Sequence, residues 1–311
     1  MKIILLDTET TGILEKDRVC QLAFFVLNED LEIEEIHNDM CKPPLAISYE
    51  AMAVHHITPE MVENEPVCTQ TRAYQRLLEL NTPHNLLVIQ NASFDLGMLA
   101  KEGFVSQMNL IDTFRILRLY YPLEGSFSLQ YKRYQWGLYK HEEAFAKQYG
   151  LSINAHDALG DVVVLKHLFE KLCDEHSLPQ MILLCAEPML LTYVPYGKHK
   201  GKNFLEVARS ARHDLQYMLG ANGLDEDVQF SIQHALEMTQ ESFVLTIGFG
   251  KYNGKTPQEV FEIDPNYLTW MLTKMENLNA ELKEAIEKVL SLQKYSTFAQ
   301  KKKKKHQLKS I

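Results

Sequence analysis

The feature that most constrains the fold is an apolar run, Ile3 to Leu6, which ends abruptly in Asp7-Thr8-Glu9. Four consecutive apolar residues predict a buried strand. Because successive side chains on a strand point to opposite faces, Asp7 and Glu9 point the same way. Burial and mutual repulsion both make two charged carboxylates costly, and a hard divalent cation with oxygen ligands relieves that cost. The alternative is a polar strand end with two acids by chance.

The composition is that of an ordinary globular protein, with 311 residues of which 46% are apolar and 23% charged. The five cysteines are scattered without a CxxC pair, which favours reduced thiols in a cytoplasmic protein over disulfides or a zinc site. We find neither a membrane-spanning stretch nor a signal peptide, so we expect no membrane contact. Net charge is −9 although seven lysines and no acid follow position 293, so nucleic-acid contacts must be local.

Further acids follow later elements of a predicted α/β pattern. Leu86 to Gln90 predicts a strand, and Asp95 lies in the first turn of the helix that follows it. Asp161 lies on the edge of the inward face of a second amphipathic helix, and His156 stands at or just before its start. Asp112 follows another short strand, where we interpret it as a helix N-cap outside the metal site.

Taken together, the motifs "DTET", "NASFD" and "HDALGD" resemble, in order, those of the DEDD exonuclease superfamily in its His-containing branch. The resemblance covers residues 1 to about 176 and implies a ribonuclease H-like mixed sheet flanked by helices. It also implies two Mg²⁺ or Mn²⁺ ions. Asp7 would bridge them, Glu9 and Asp161 would complete one site, and Asp95 would hold the other largely through water. His156 would be the general base, a role that an imidazole with an ordinary pKa of about 6.5 suits.

The resemblance also implies a set of substrate contacts. The chain after the first motif would grip the terminal nucleotide through backbone groups and an apolar wedge. His55 occupies the position of the family's middle-segment histidine, but His56 stands where many relatives have glycine, which leaves open which one faces the substrate. The residues implied are Thr10, Thr11, Gly12, Ile13 or Leu14, His55 and Asn91, the last of which could equally be a turn residue.

The C-terminal half contains an internal repeat. Residues 196–219 align without gaps on residues 249–272, at a constant offset of 53. We expect each copy to form a tight hairpin, whose lysines could meet phosphate while the tip His or Tyr stacks on a base. The alternative is a turn with solvated lysines. The candidate contacts are Lys198, Lys202, Lys251 and Lys255. The segment "FGKYNGK" also resembles the one that follows the nuclease domain in the exodeoxyribonuclease X family.

These patterns predict a division of the chain into an exonuclease domain and a smaller α+β region with a duplicated module. The expected boundaries are 1–177 for the nuclease domain, 178–192 for a linker, 193–242 and 243–293 for the two copies, and 294–311 for a disordered Lys-rich tail. The predicted activity is metal-dependent 3′→5′ hydrolysis of DNA, with single-stranded 3′ ends as substrate and nucleoside 5′-monophosphates as products. The alternatives are RNA 3′ trimming, as in oligoribonuclease or ribonuclease T, and an inactive nuclease-like binding module.

Overall fold

The computed structural model describes residues 1–154, 156–221, 223–239, 246–275, 278–279 and 282–290. The chain divides into two compact units, residues 1–237 and residues 238–311. The predicted Lys-rich tail, residues 294–311, lies outside the described residues. Within the described ranges, no helix is both long and apolar enough to cross a membrane.

The first unit is built on a five-stranded mixed sheet in the order β3-β2-β1-β4-β5. Strands β1, β2 and β3 pair antiparallel, whereas β4 and β5 continue the sheet on the other side of β1 in parallel. The bounds are Ile3–Thr10, Val19–Leu27, Ile33–Met40, Leu86–Ile89 and Asn109–Asp112 for β1 to β5. This arrangement confirms the predicted ribonuclease H-like mixed sheet.

In the first unit helices flank the sheet, and helices also make up most of the other described residues of both units. In order they are α1 (Tyr49–His55), α2 (Pro59–Val62), α3 (Arg72–Leu80), α4 (Ala92–Lys101), α5 (Thr113–Tyr120), α6 (Leu129–Gln135), α7 (Glu142–Tyr149), α8 (Ala158–Glu175), α9 (Leu178–Ala186), α10 (Phe204–Ser210), α11 (Arg212–Leu219), α12 (Glu226–Met238), α13 (Pro257–Ile263) and α14 (Pro265–Lys274). Residues 282–290 are also helical.

The alternation of side chains along β1 divides the core into two layers. Ile3 and Leu5 belong to the layer that contains α8, and Ile4 and Leu6 belong to the layer that contains α3 and α4. The long amphipathic helix α8 buries most of its length against β1 and β2. The sheet therefore carries a helical layer on each face, and the end of β1 lies between them.

The predicted linker over residues 178–192 differs from the structure, which forms helix α9 there. Pro179 occupies the first turn of this helix, where a proline's missing amide hydrogen has no helical partner to lose. Met181 and Cys185 are buried in the same core layer as α8, and α9 packs against β5. Pro179 thus lies at the start of a helix that belongs to the nuclease core.

In each repeat copy a pair of backbone hydrogen bonds closes the loop that carries the two tip lysines, and we call this pair the clasp. In the first, Val194 donates its amide hydrogen to Lys202 at 2.9 Å and accepts one from Gly201 at 2.8 Å. In the second, Ile247 makes the equivalent bonds with Lys255 at 2.8 Å and Gly254 at 2.7 Å. The predicted tight hairpin is therefore present in both.

The rest of each copy differs from the predicted α+β region. Among the described residues the copies are helical, apart from an isolated antiparallel bridge between Tyr193 and Asn203. The apolar residues that follow each clasp recur at helical spacing and pack into a small core of their own, one in each copy. These segments therefore fold as helices, and the Tyr193–Asn203 bridge is the only strand-type pairing among the described residues of the two copies.

Candidate active site

The end of β1 presents the first two acids on one face of the sheet. Asp7 and Glu9 continue the row of Ile3 and Leu5, so both carboxylates point toward the layer that contains α8. Thr8, between them, is buried on the other side. The spacing of two in the sequence is thus realised as a pair of carboxylates on one face.

Helix α8 brings a third acid to this pair. Its first turn places Asp161 beside Ala158 and Val162, which are buried in the core. Carboxylate oxygens of Asp7, Glu9 and Asp161 lie within 4.8 Å of one another. Three oxygen donors at this spacing are a suitable ligand set for a hard divalent cation.

Asp95 reaches the same edge from α4. Its Oδ1 accepts hydrogen bonds from the backbone amide of Thr8 at 3.0 Å and from the Thr8 hydroxyl at 2.7 Å. These bonds hold the Asp95 carboxylate against β1 at Thr8, the residue between Asp7 and Glu9. The neighbouring Asp112 is the N-cap of α5 and also accepts from the amides of Asn91 and Ala92. It thus ties α4 to β5, in agreement with its predicted capping role.

The four acids share an electrostatic environment that opposes their ionisation. Burial raises the pKa of Asp7 well above its ordinary range, and Asp95, Asp161 and Glu9 raise it further. Burial and then Asp161 raise the pKa of Glu9 to about 8. Burial raises the pKa of Asp95 to about 7 and that of Asp161 to about 6. A positive charge between these carboxylates would offset their burial and mutual repulsion and so favour their ionised forms.

His156 lies in the turn before α8 with its side chain exposed and its backbone at a φ of 57°. Its backbone amide forms a hydrogen bond that lowers the pKa of Asp161, which places the histidine next to the acidic cluster. Asp157 caps α8, accepting from the Gly160 amide at 3.3 Å and from the Gln21 side chain at 2.7 Å. Gln21 Oε1 in turn accepts from the Ala158 amide, so β2 fixes the start of this helix.

Gly160 is a site residue that the sequence prediction missed. A Cβ atom on Gly160 would lie 2.0 Å from the backbone oxygen of Asn154, far inside van der Waals contact. The loop that carries His156 therefore packs directly on the helix backbone one residue before Asp161. The glycine in "HDALGD" was the available signal, although sequence alone does not show which backbone approaches it.

Gln130 is a second missed residue. Its Nε2 donates to Asp161 Oδ1 at 2.5 Å, and its Oε1 accepts from Arg133 at 3.1 Å. Arg133 is held by Glu142 in a bidentate ion pair, which links α6 and α7 to the acidic cluster. Nothing in the sequence distinguishes Gln130 from other polar residues of α6, because its partner lies 31 positions away.

The predicted substrate loop follows β1 directly. Buried Asp17 organises it, accepting from the Thr11 hydroxyl at 2.9 Å and from the Leu14 amide at 2.7 Å. The Thr10 hydroxyl donates to the Gly12 carbonyl at 2.8 Å, and a Cβ atom on Gly12 would lie 2.6 Å from Asp17 Oδ2. Ile13 is 82% exposed and Leu14 59% exposed. The loop is thus fixed at its base and presents two apolar side chains to solvent, and their contact with a terminal nucleotide stays a prediction.

The two histidines of the middle segment have different environments. His55 is buried, and its ring bonds the Thr10 carbonyl at 3.1 Å and accepts from the Ile57 amide at 2.9 Å. Burial lowers the pKa of His55, which fits a neutral ring with both nitrogens engaged inside the protein. His56 is exposed at the left-handed end of α1. His55 therefore holds the backbone of the substrate loop.

The predicted contact Asn91 is exposed immediately before α4, and its side chain does not cap that helix.

The repeat tips differ from the prediction in one respect. The four candidate lysines are exposed, but the tip residues expected to stack on bases, His199 and Tyr252, are both buried. His199 bonds Asp214 at 2.6 Å, and Tyr252 bonds Asp264 at 3.1 Å. Both rings are buried within their modules and are not available for stacking.

Comparison with known proteins identifies two family profiles in the chain. The first, described as exonuclease, matches residues 4–169, and the second, described as exodeoxyribonuclease X-like C-terminal, matches residues 247–276. The second match lies within the second repeat copy.

Individual relatives match at low identity. Exodeoxyribonuclease 10 of Escherichia coli K12 is 26% identical over 244 residues, which cover 76% of this chain and 99% of the relative. DNA polymerase III subunit epsilon of Treponema pallidum is 27% identical over 179 residues, covering 55% of this chain and 76% of the relative. Exonuclease X in complex with 5′ overhanging duplex DNA aligns with a TM-score of 0.41 and 22% identity, over 59% of this chain and 98% of that one.

Proposed function

The chain belongs to the exonuclease family, and from this premise we propose that it removes nucleotides from the 3′ end of DNA and releases nucleoside 5′-monophosphates. The observation that carries the proposal is the convergence of Asp7, Glu9 and Asp161, with ligand oxygens within 4.8 Å of one another. Asp95 is fixed to the same strand end by Thr8. The match to exodeoxyribonuclease 10 over most of the chain supports DNA as the substrate.

The family depends on divalent metal ions, and the site has the donor chemistry to hold them. Asp7, Glu9 and Asp161 would form one site, and Asp7 with Asp95 would form the other. We propose Mg²⁺ or Mn²⁺, because all four ligands are carboxylates. When bound, such ions stabilise the negative charge that develops on the attacking and leaving oxygens.

The protein groups supply orientation and proton transfer. His156 is exposed beside the cluster, where its imidazole would take the proton from the attacking water, a contribution of roughly 10²–10⁴-fold in rate. Gln130 and Thr8 fix the carboxylates of Asp161 and Asp95 through hydrogen bonds. Ile13 and Leu14, exposed on a loop whose base is fixed, would separate the terminal base from its neighbour.

The experiment that tests the substrate and metal assignments uses matched DNA and RNA oligomers labelled at the 5′ end. We expect the DNA strand to shorten in Mg²⁺ or Mn²⁺ and to survive in EDTA. The Asp7→Asn protein is the control for a contaminating nuclease and should be inactive. Faster degradation of RNA would replace the proposal with 3′ trimming of RNA, and activity in EDTA would refute the metal assignment.

A further inference from the structure

The second repeat copy carries a series of aromatic side chains that runs from its core to its surface. Tyr252, 6% exposed, contacts Tyr267 edge-on with ring centroids 4.9 Å apart. Tyr267 contacts Trp270 with centroids 5.4 Å apart and planes 35° from parallel. Trp270 is 49% exposed. The module core therefore supports a tryptophan ring that remains half in solvent.

A lysine adjoins these rings. The Lys251 ammonium stands 4.7 Å from the centroid of Tyr252 and 3.6 Å from Asp264. The lysine side chain is 67% exposed, so its ion pair with Asp264 is a surface pair that contributes little free energy. A phosphate could thus replace Asp264 as the partner of the Lys251 ammonium at a small cost in free energy. Lys251 lies at the Tyr252 end of this series, and the exposed Trp270 lies at the other end. Proteins bind single-stranded nucleic acid with aromatic rings that stack on bases and lysines that contact the backbone phosphates.

The first copy differs at the equivalent positions. At the constant offset of 53, Asp214 stands where the second copy has Tyr267, and Tyr217 stands where it has Trp270. Asp214 accepts hydrogen bonds from Lys198 at 2.9 Å and from His199 at 2.6 Å. A carboxylate therefore replaces the middle ring of the aromatic series, whereas both copies hold an acid near the tip lysine, Asp214 in the first and Asp264 in the second. Tyr217 is 85% exposed, without the tyrosine that supports Trp270.

The first copy has a different set of strong contacts, which join it to the nuclease core within the first unit. Asp227 of α12 is 2% exposed. It accepts from Arg115 at 2.8 and 3.0 Å, from Arg118 at 2.6 Å and from the Met189 amide at 2.8 Å. Both arginines belong to α5, which Asp112 caps beside α4. Burial of a bonded carboxylate at this junction makes the first copy a fixed part of the nuclease unit.

We propose that the two copies have diverged in role. Lys251, Tyr267 and Trp270 of the second copy form a binding site for single-stranded DNA, and the first copy is a structural element docked on the nuclease core. The inference rests on the proposed action on DNA. It keeps one of the lysines predicted from the sequence, Lys251, and adds Tyr267 and Trp270 as a place outside the catalytic centre where the strand is held by stacking.

The test is DNA binding by the full-length chain under conditions that prevent cleavage. The Asp7→Asn background in EDTA is titrated into a fluorescein-labelled single strand of thymidines, and affinity is followed by anisotropy across a range of salt. Trp270→Ala should weaken binding roughly 5- to 150-fold, the range expected for loss of one stacked base. Tyr217→Ala, at the matched position of the first copy, should leave affinity within about twofold, and Trp270→Phe should keep most of it. Lys251→Ala should lower the slope of log affinity against log salt by about 0.7.

A further variant places a residue of the first copy at the matched position of the second. Tyr267→Asp gives the second copy the acid of the first and should weaken binding at least as much as Trp270→Ala. Unchanged affinity for DNA in folded Trp270→Ala and Tyr267→Asp proteins would overturn the proposal. The exposed rings would then be assigned to contact with a protein partner. Equal losses from Tyr217→Ala and Trp270→Ala would overturn the division of roles. Failure of the proposed catalysis is recognised separately, because the Asp7-containing protein would then leave short DNA oligomers intact whatever the anisotropy shows.

Discussion

Replacing Gly160 by alanine tests whether the loop that carries His156 is positioned by direct backbone packing on α8. In the structure, a Cβ atom there would lie 2.0 Å from the backbone oxygen of Asn154, 3.0 Å from its carbonyl carbon and 3.0 Å from its nitrogen. Ordinary contact for a Cβ begins near 3.4 Å, so the loop backbone must move by more than 1 Å. Because the obstacle is backbone, no side-chain rotation relieves the clash.

The expected effects on stability and activity can be separated. Alanine favours a helix over glycine by about 1 kcal/mol, and overpacking costs about 1–3 kcal/mol, so we expect stability to fall by at most about 2 kcal/mol. Displacement of a catalytic group by about 1 Å can cost on the order of 10²-fold in rate, so we expect kcat to fall by about that factor. Thermal unfolding measures the first quantity, and single-turnover hydrolysis of a labelled DNA oligomer measures the second.

Gly97 provides a matched control for the stability measurement. It lies in α4 two residues after Asp95, and a Cβ atom there meets nothing within 4 Å. Gly97→Ala should therefore raise stability by up to about 1 kcal/mol through helix propensity alone. A Gly160→Ala protein that is stabilised like Gly97→Ala and keeps the wild-type kcat would refute the packing argument.

Three further outcomes are expected. Asp227→Asn should cost about 3–5 kcal/mol in unfolding free energy because it removes the buried carboxylate that pairs with both Arg115 and Arg118. Asp225→Asn removes the partly exposed second partner of Arg118 and should cost about 1 kcal/mol or less; equal losses in chemical denaturation would contradict the assignment of the buried pair. A chain ending at residue 177 should be insoluble because it loses α9 with buried Met181 and Cys185, whereas a chain ending at 237 should fold, as circular dichroism and solubility can establish. In EDTA the melting temperature should fall from pH 6 to pH 8. Glu9 has a pKa of about 8 in the folded state against 4.5 in the unfolded state, so the folded state retains a proton that the unfolded state releases. A rise in melting temperature over this interval would contradict the raised pKa of Glu9.

The nuclease fold and its acids were predictable because they depend on local patterns. The apolar runs of β1, β2 and β4 identify strands, and a spacing of two on a strand places Asp7 and Glu9 on one face. The spacing of His156 and Asp161 likewise matches a turn followed by the first turn of a helix. Each of these relations lies within one element or at its end, where the sequence determines geometry directly.

The remaining features depend on which elements meet in space. Gln130 acts on Asp161 from another helix, and His55 turns inward because its ring meets the Thr10 carbonyl 45 residues away. The contact of Tyr267 with Trp270 within α14 follows from helical spacing. The exposure of Trp270 and the burial of Tyr252 depend instead on how the elements of the module pack together. Burial of this kind results from packing between elements, which residue patterns along the chain do not specify.

The most direct test of the central claim compares a 5′-labelled linear single-stranded DNA with a circular strand of the same sequence in Mg²⁺. Asp7→Asn serves as the inactive control. An exonuclease that starts at a 3′ end should shorten the linear strand to a ladder of progressively smaller labelled products and leave the circle intact. Rapid cleavage of the circle, or immediate release of a labelled mononucleotide from the linear strand, would contradict the proposed 3′→5′ polarity.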